Sequence, residues 1–406
     1  MTEKALEGIK VLTFEMAQAM PMTTSFLAAF GATVIRVESQ KHLDWHRQSG
    51  PFVENQNGPD RSSCYLHANP GKMSFTLNLK HPDSMKLMAK LVKWADIMVE
   101  GFAGGVIDKL GLGYADVSKI NPGIIMLSSD CYGHTGPFKG VPSYGMPLTA
   151  LTGLPHLCGK ADQMPQFPGF AITDFIAPRL NVIALIAALD FRKQTGKGQY
   201  IDCSQFENTV PLMTPAMLAL QANEKDTGRM GNRQVGAAPC TAFRCKDDDM
   251  GERYVAICVQ NDAEWAAFVK TIGAPAWAAD KKFATLMGRL DNIDELEKNI
   301  NAWTATREAY EVMNTMQKAG IAAGVAQNGR DLSNDPQLAA NNFYQKLEVP
   351  TVGDFSYAGL PVRMSETPYE IKRTPLLGEY NEFVSMNILG LSDEEFVTLI
   401  ADGAFE

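Results

Sequence analysis

The sequence predicts an α/β fold, a mostly parallel sheet covered by helices, with a second, smaller α+β domain. Three observations predict it. Short β-branched runs alternate with helical patterns over the first two hundred residues, the pattern changes after about residue 203, and 406 residues exceed what a single hydrophobic core usually serves.

Ile9 to Phe14 reads as a strand, followed by a loop, an apolar helix ending near Phe30 with Gly31 at its C-terminal cap, and a strand from Thr33 to Glu38. That is a βαβ unit. A strand at Ser74 to Leu79, an amphipathic helix from about Pro82 to Ala95 and a strand at Asp96 to Glu100 repeat the alternation, and a short helix leads to a strand at Ile124 to Ser128. Repetition of this kind implies parallel strands with helices on both faces, and a ligand site in the loops at the strand C-terminal ends. Residues 175 to 194 form the clearest helix, ended by Gly196 and Gly198, and a further apolar helical stretch runs from about 203 to Ala222. Asn223 to Arg229 is polar. Thr241–Lys246 and Arg253–Val259 flank the acidic turn Asp247–Gly251 and predict an antiparallel hairpin with helices after it. The tail between 349 and 378, rich in Pro and Gly, reads as an extended segment wrapping back over the first domain. Ser392 and Glu395 form a capping box for a last helix to about Ala401.

Hydrophobic residues make up 45% and charged residues 20%, the balance of a globular chain, and a net charge of -9 argues against nucleic acid as a partner. Seven cysteines without a C-x-x-C pair read as reduced, mostly buried thiols. Six scattered histidines without an H-E-x-x-H predict no metal site. The first residues carry no signal-like segment and no run of 18 apolar residues occurs, so a cytoplasmic chain without a membrane partner is expected. Gly31 to Glu38 lacks a preceding G-x-G-x-x-G, so hydride chemistry is unsupported, and Glu38 reads as a solvated strand-end carboxylate.

Asp174 stands at the start of the long helix, in Gly169-Phe-Ala-Ile-Thr-Asp174-Phe-Ile-Ala-Pro178. One reading is an N-cap carboxylate, with Pro178 tolerated in the first turn. Another is a nucleophile held ionised by the helix dipole. Local sequence does not separate them. Gly133-His-Thr-Gly136-Pro137 reads as a turn whose amides could approach a ligand, and His134 as a surface or hydrogen-bonded loop residue without an acid partner.

Read in order, several segments resemble one family. Gly8-Ile-Lys-Val-Leu12, Gln18-Ala-Met-Pro21, Gly31-Ala-Thr-Val-Ile-Arg-Val-Glu38, Val99-Glu-Gly-Phe102 and Lys109-Leu-Gly-Leu-Gly113 are similar to the opening motifs of the family III CoA transferases. Ser128 to Pro137, Thr195-Gly-Lys-Gly-Gln199, Gly231-Asn232 before Ala238-Pro239, Asp335-Pro336-Gln337 and Pro375-Leu-Leu-Gly378-Glu379 continue the series over nearly residues 8 to 400. The resemblance implies a Rossmann-like large CoA-binding domain from both chain ends (1–202 and 329–406), a linker at 203–228, a small α+β domain at 229–328, and an interlocked ring-like dimer. It implies a nucleophilic Asp174, an active-site Gln18, and CoA contacts near Ser39, Lys72, Phe102, Lys109 and Tyr144. CoA thioester enters as substrate and no cofactor is permanently bound. Two departures are Gly101, where the family usually has Asn, and Ser39, where it commonly has Arg or Lys.

Three functions follow from that resemblance. The first is transfer of CoA from an acyl-CoA donor to an organic acid through an aspartyl anhydride and an aspartyl-CoA thioester, with succinyl-CoA and a hydrophobic acid such as benzylsuccinate as the leading pair. The second is racemisation of 2-methylacyl-CoA, whose histidine acid/base falls on Tyr144 here, a poor base. The third is a CoA-binding support subunit. The expected assembly is a homodimer or a heteromer with a related subunit. Met16, Met20, Met22, Phe167, Phe170, Met213 and Met217 are candidate acyl-pocket residues, with core packing as the alternative.

Overall fold

The computed structural model describes residues 4–406. The chain divides into two compact units. One comprises residues up to Leu154, Phe167–Glu224 and Gln337–Glu406, and the other Pro155–Gln166 and Lys225–Pro336. The stretch expected as a linker therefore packs within the first unit as far as Glu224, and residues 155–166 join the second.

In the first unit, strands β1 (Lys10–Phe14), β2 (Thr33–Glu38), β3 (Met73–Thr76), β4 (Ile97–Glu100), β5 (Ile125–Asp130) and β6 (Gln199–Ser204) form one parallel sheet in the order β3-β2-β1-β4-β5-β6. Alternate residues face opposite sides, so the strands bury two cores. Leu12, Phe14, Ile35, Val37, Met98 and Met126 meet helix α2 (Ser84–Trp94) on one face. Val11, Val34, Ile97, Val99, Ile125 and Leu127 meet helices on the other. There α1 (Ala19–Ala29) runs beside the long helix. The chain passes through α3 (Tyr114–Ile120) before β5 and α4 (Gly145–Leu151) after it, and reaches the 24-residue helix α5 (Ile172–Thr195).

Helix α5 ends where expected: Gly196 takes φ +73° and its N–H caps the Arg192 carbonyl at 2.7 Å. By length and composition α5 could cross a membrane, yet Asn181, Leu185 and Ala188 are buried on its inner side. β6 then completes the sheet, and α6 (Thr214–Asn223) follows.

The second unit contains the expected hairpin, β7 (Cys240–Asp248) with β8 (Gly251–Cys258), extended by antiparallel β9 (Ala322–Val325). Helices α7 (Asp262–Thr271), α8 (Ile293–Thr304) and α9 (Ala309–Lys318) accompany the sheet, and Phe243, Val255, Phe268, Phe283, Ile300 and Val312 form a core of their own. One expectation is corrected here. Cys240 and Cys258 oppose each other in the hairpin register and are joined as a disulfide. Of the five free cysteines only Cys245 is buried.

Beyond the second unit the chain forms a further hairpin, β10 (Tyr344–Val349) and β11 (Gly353–Ala358), and then runs back over the first unit without regular structure. Glu370 N–H bonds Ala29 at 2.9 Å, Thr374 Oγ1 bonds the Leu66 carbonyl at 2.6 Å, and Gly378 N–H bonds Ser74 Oγ at 2.9 Å. The last helix, α10 (Asp393–Ala401), carries the expected reciprocal cap between Ser392 and Glu395.

Candidate active site

The strand order reverses at β1, with β2 on one side and β4 on the other. The loops leaving these strands diverge to opposite faces and leave a crevice at their C-terminal ends. A cavity of about 860 Å³ occupies that position, walled by residues after β1, β2 and β3 and by Phe102 after β4. Lys41, His42 and Lys80 bring cationic or hydrogen-bonding side chains to it, while Met16, Leu79 and Phe102 supply apolar surface.

Beneath the cavity lies a buried set of charges. The Lys72 ammonium uses all its donors on the Glu15 carboxylate, the Pro21 carbonyl at 2.8 Å and Asn69 Oδ1 at 2.9 Å. Burial pushes its pKa down to about 8 against the pull of Glu15. Arg36 pairs with Asp44 and bonds Asn69 Oδ1 at 2.6 Å. Glu38 accepts two bonds from Arg47, at 2.8 and 2.9 Å, and one from Ser74 at 2.7 Å. Burial opposes the Glu38 charge, yet Arg36 and Arg47 together hold the carboxyl down to about 2. Glu38 is thus a buried, paired carboxylate and not a solvated strand end. Only Arg36 Nε lacks a hydrogen bond among these guanidinium and ammonium donors, and removing one partner from such a buried set is costly.

The network also shapes the chain toward Gln18. Ala17 adopts φ +60°, a conformation unfavourable for alanine, and its N–H is held at 3.0 Å by Asp44, the partner of Arg36. The chain then enters α1 through Gln18, whose amide Nε2 is buried and finds no acceptor among the described residues.

Helix α5 begins before Asp174. Ala171 is the cap residue, without a side-chain bond, and Asp174 occupies the third position of the first turn rather than the cap. Pro178 correspondingly falls in the second turn, where its missing N–H leaves the Asp174 carbonyl without its helical partner. Among the described residues no group donates to the Asp174 carboxylate, and burial alone pushes its pKa up to about 6. The helix N-terminus opposes that rise by favouring negative charge. Asp174 and Gln18 open two helices packed side by side, which Asn181 Nδ2 joins to Thr23 Oγ1 at 3.2 Å.

The remaining expected contacts divide. Ser39 and Phe102 line the cavity, although the Ser39 hydroxyl accepts the N–H groups of Lys41 and His42 at 3.2 Å each. Lys72 does not line it, because Glu15, Pro21 and Asn69 hold its ammonium within the first unit. Lys109 is exposed outside the lining, beside Leu110, which belongs to it. Tyr144 is 81% exposed at the start of α4. Lys41, His42 and the run Leu77 to Lys80 were missed, since nothing local marks a loop after a short strand as a ligand wall. The methionines and phenylalanines proposed for an acyl pocket do not converge: Met16 lines the cavity, Met20 is core, Phe170 packs edge-on to Phe175 and Met217 is exposed.

His134 is the hydrogen-bonded loop residue of the two alternatives, but it does have an acid partner. It is buried, with Nε2 3.4 Å from Glu100 Oε1 and Nδ1 3.2 Å from the Tyr200 hydroxyl. Burial raises the Glu100 pKa. Of the turn amides, those of Gly133 and His134 are taken internally: Gly133 donates to Asp130, as does the preceding Tyr132, and His134 donates to Asp202 at 2.9 Å.

The parallel sheet with a crevice at its order reversal suits a ligand-binding α/β protein, and Asp174 and Gln18, at the starts of two packed helices, do not themselves line the cavity. The sequence profile of "CoA-transferase family III" matches residues 6–381, and the chain belongs to that family. Mouse succinyl-CoA:glutarate CoA-transferase is 31% identical over 99% of this chain and 91% of the relative. A formyl-CoA:oxalate CoA-transferase of Streptomyces coelicolor is also 31% identical, over 99% of this chain and 100% of its own. The crystal structure of a CAIB/BAIF family protein from Brucella suis superposes with a TM-score of 0.86 at 29% identity, covering 95% of this chain and 100% of that one. The protein is accordingly a CoA transferase that moves CoA between an acyl-CoA and an organic acid.

Proposed function

We propose that the enzyme works through Asp174 as a covalent nucleophile, with succinyl-CoA as donor and a dicarboxylic acid as acceptor. The observation that carries this is the Asp174 carboxylate itself: ionisable near neutrality, poorly solvated and without a hydrogen-bond donor among the described residues. A carboxylate already stripped of partners gives up little solvation when it attacks.

An Asp174 oxygen attacks the thioester carbonyl carbon, the C–S bond breaks, and CoA leaves as thiolate with a mixed anhydride behind. The thiolate attacks the aspartyl carbonyl carbon, releasing the donor acid as carboxylate and forming aspartyl-CoA. The acceptor carboxylate attacks the same carbon and expels the thiolate. That thiolate attacks the acceptor's acyl carbon and frees Asp174. No proton is gained or lost. The unpaired Gln18 amide is suited to donate to an oxyanion on the aspartyl carbon, and the Lys41 and Lys80 cavity to hold the phosphorylated end of CoA while the thiolate waits.

The strand order supports reading the first unit as Rossmann-like. Succinyl-CoA is the donor named for the mouse relative, and glutarate and oxalate, the acceptors named for the relatives, are dicarboxylic acids, a class that includes benzylsuccinate. Racemisation lacks an acid/base partner at Tyr144, which is 81% exposed. Exposed Leu180, Ile183 and Ile186 on α5 support burial of that helix against a second copy, the interlocked dimer expected from the sequence, or against a related subunit.

Hydroxylamine tests the mechanism. Incubation with succinyl-CoA and hydroxylamine should inactivate the enzyme and leave a hydroxamate at Asp174 in the peptide map. Transfer that survives with Asp174 unmodified would overturn it. A panel of acceptor acids, scored by mass of the new thioester, tests the substrate pair.

A further inference from the structure

Because no donor among the described residues holds the Asp174 carboxylate, its position depends on the backbone turn that carries it and on what packs against that turn. The Asp174 N–H bonds the Ala171 carbonyl at 3.0 Å, so a shift of Ala171 carries Asp174 with it. Ala171 is packed against Gly145, the first residue of α4. A Cβ placed on Gly145 would interpenetrate the Ala171 Cβ, lie 3.3 Å from its Cα, and stand 3.6 Å from Asp174 Oδ2.

We infer that Gly145 is a positioning residue for the nucleophile: the missing side chain lets the first turn of α5 close on α4 and leaves open space beside Asp174 Oδ2. The inference rests on Asp174 being the nucleophile. Backbone conformation does not explain a glycine here, since Gly145 is helical and has no positive φ. Alanine would suit the helix better by about 1 kcal/mol. What alanine cannot do is share space with Ala171. Glycine at position 171 would remove the overlap with the Ala171 Cβ, leaving only the 3.3 Å approach to the Cα, and at a helix cap it is at least as acceptable as alanine.

The test uses the full chain and compares wild type, Gly145→Ala, Ala171→Gly, the double variant and Asp174→Ala, with the acyl-CoA and acid pair that wild type turns over fastest. Gly145→Ala should lower kcat by roughly 10- to 100-fold, the scale of an ångström-sized misplacement. Its affinity for CoA should be unchanged, because neither Gly145 nor Ala171 lines the cavity. Ala171→Gly should behave as wild type, and the double variant should recover kcat to within about threefold, even if Gly145→Ala alone folds poorly. A merely structural glycine would lower the yield of folded protein and leave the kcat of the folded Gly145→Ala enzyme at the wild-type value. Full activity in Gly145→Ala, or a folded double variant as slow as the single, would overturn the inference while an inactive Asp174→Ala leaves the nucleophile in place. An active Asp174→Ala would overturn both.

Discussion

A carboxylate that attacks a thioester must be ionised at working pH yet weakly solvated, and at Asp174 these demands conflict with stability. The group's pKa rises from 3.8 to about 6 on folding, so its ionised form is disfavoured in the native state. Protonated Asp174 cannot attack, and kcat should fall as pH drops through about 6. The stability consequence has the opposite sense. A raised native pKa contributes stability that is complete below the unfolded value and is lost as pH rises through the folded one. Asp174→Asn should therefore abolish transfer and yet raise thermal stability at pH 8, by up to about 3 kcal/mol, with the gain shrinking as pH falls toward 4. Denaturation of both proteins across that range checks it, and an Asn variant less stable at pH 8 would refute the burial account. The lysines invite a similar contrast. Lys72→Ala leaves the buried Glu15 with only the more distant Arg36 as cation, at 3.9 Å, and should cost about 3–5 kcal/mol. Lys80→Ala should leave stability alone and raise the KM for acyl-CoA, more so at low salt. Urea melts beside steady-state kinetics distinguish the two.

At the scale of elements, sequence pattern revealed what repetition and hydrophobic spacing encode. β1, α1 and β2 fell within a residue or two of expectation, because strands buried on both faces read as continuous apolar runs. β6 was missed. As an edge strand its residues are mostly half-buried or exposed, and it lies between the two glycines after α5 and an apolar helical run. β9, four residues of Ala, Gly and Val, carried no strand signal until β8 offered it partners. The Cys240–Cys258 bond was invisible because hairpin register, not spacing, brings the pair together. For the site, Asp174 and Gln18 are expected from the order of motifs, and no sequence pattern shows that the Lys72 ammonium spends its donors on Glu15, Pro21 and Asn69.

At the scale of the molecule, the proposed self-association through the exposed apolar side of α5 has a direct test. Ile183→Glu should shift sedimentation to a smaller species, and an unchanged profile would place the interface elsewhere. The other end of the chain has its own bearing on the cavity. Asn78, one of the wall residues, gives its N–H to the Ala404 carbonyl at 2.8 Å, Thr76 Oγ1 bonds the Phe405 carbonyl at 2.7 Å, and Glu406 meets Lys41 at 2.6 Å. This wall of the cavity is therefore finished by residues about three hundred positions downstream. The same segment buries Val384, Leu399 and Phe405 in the core on one face of the sheet, so removing the last residues would open the cavity wall and the core beneath it together.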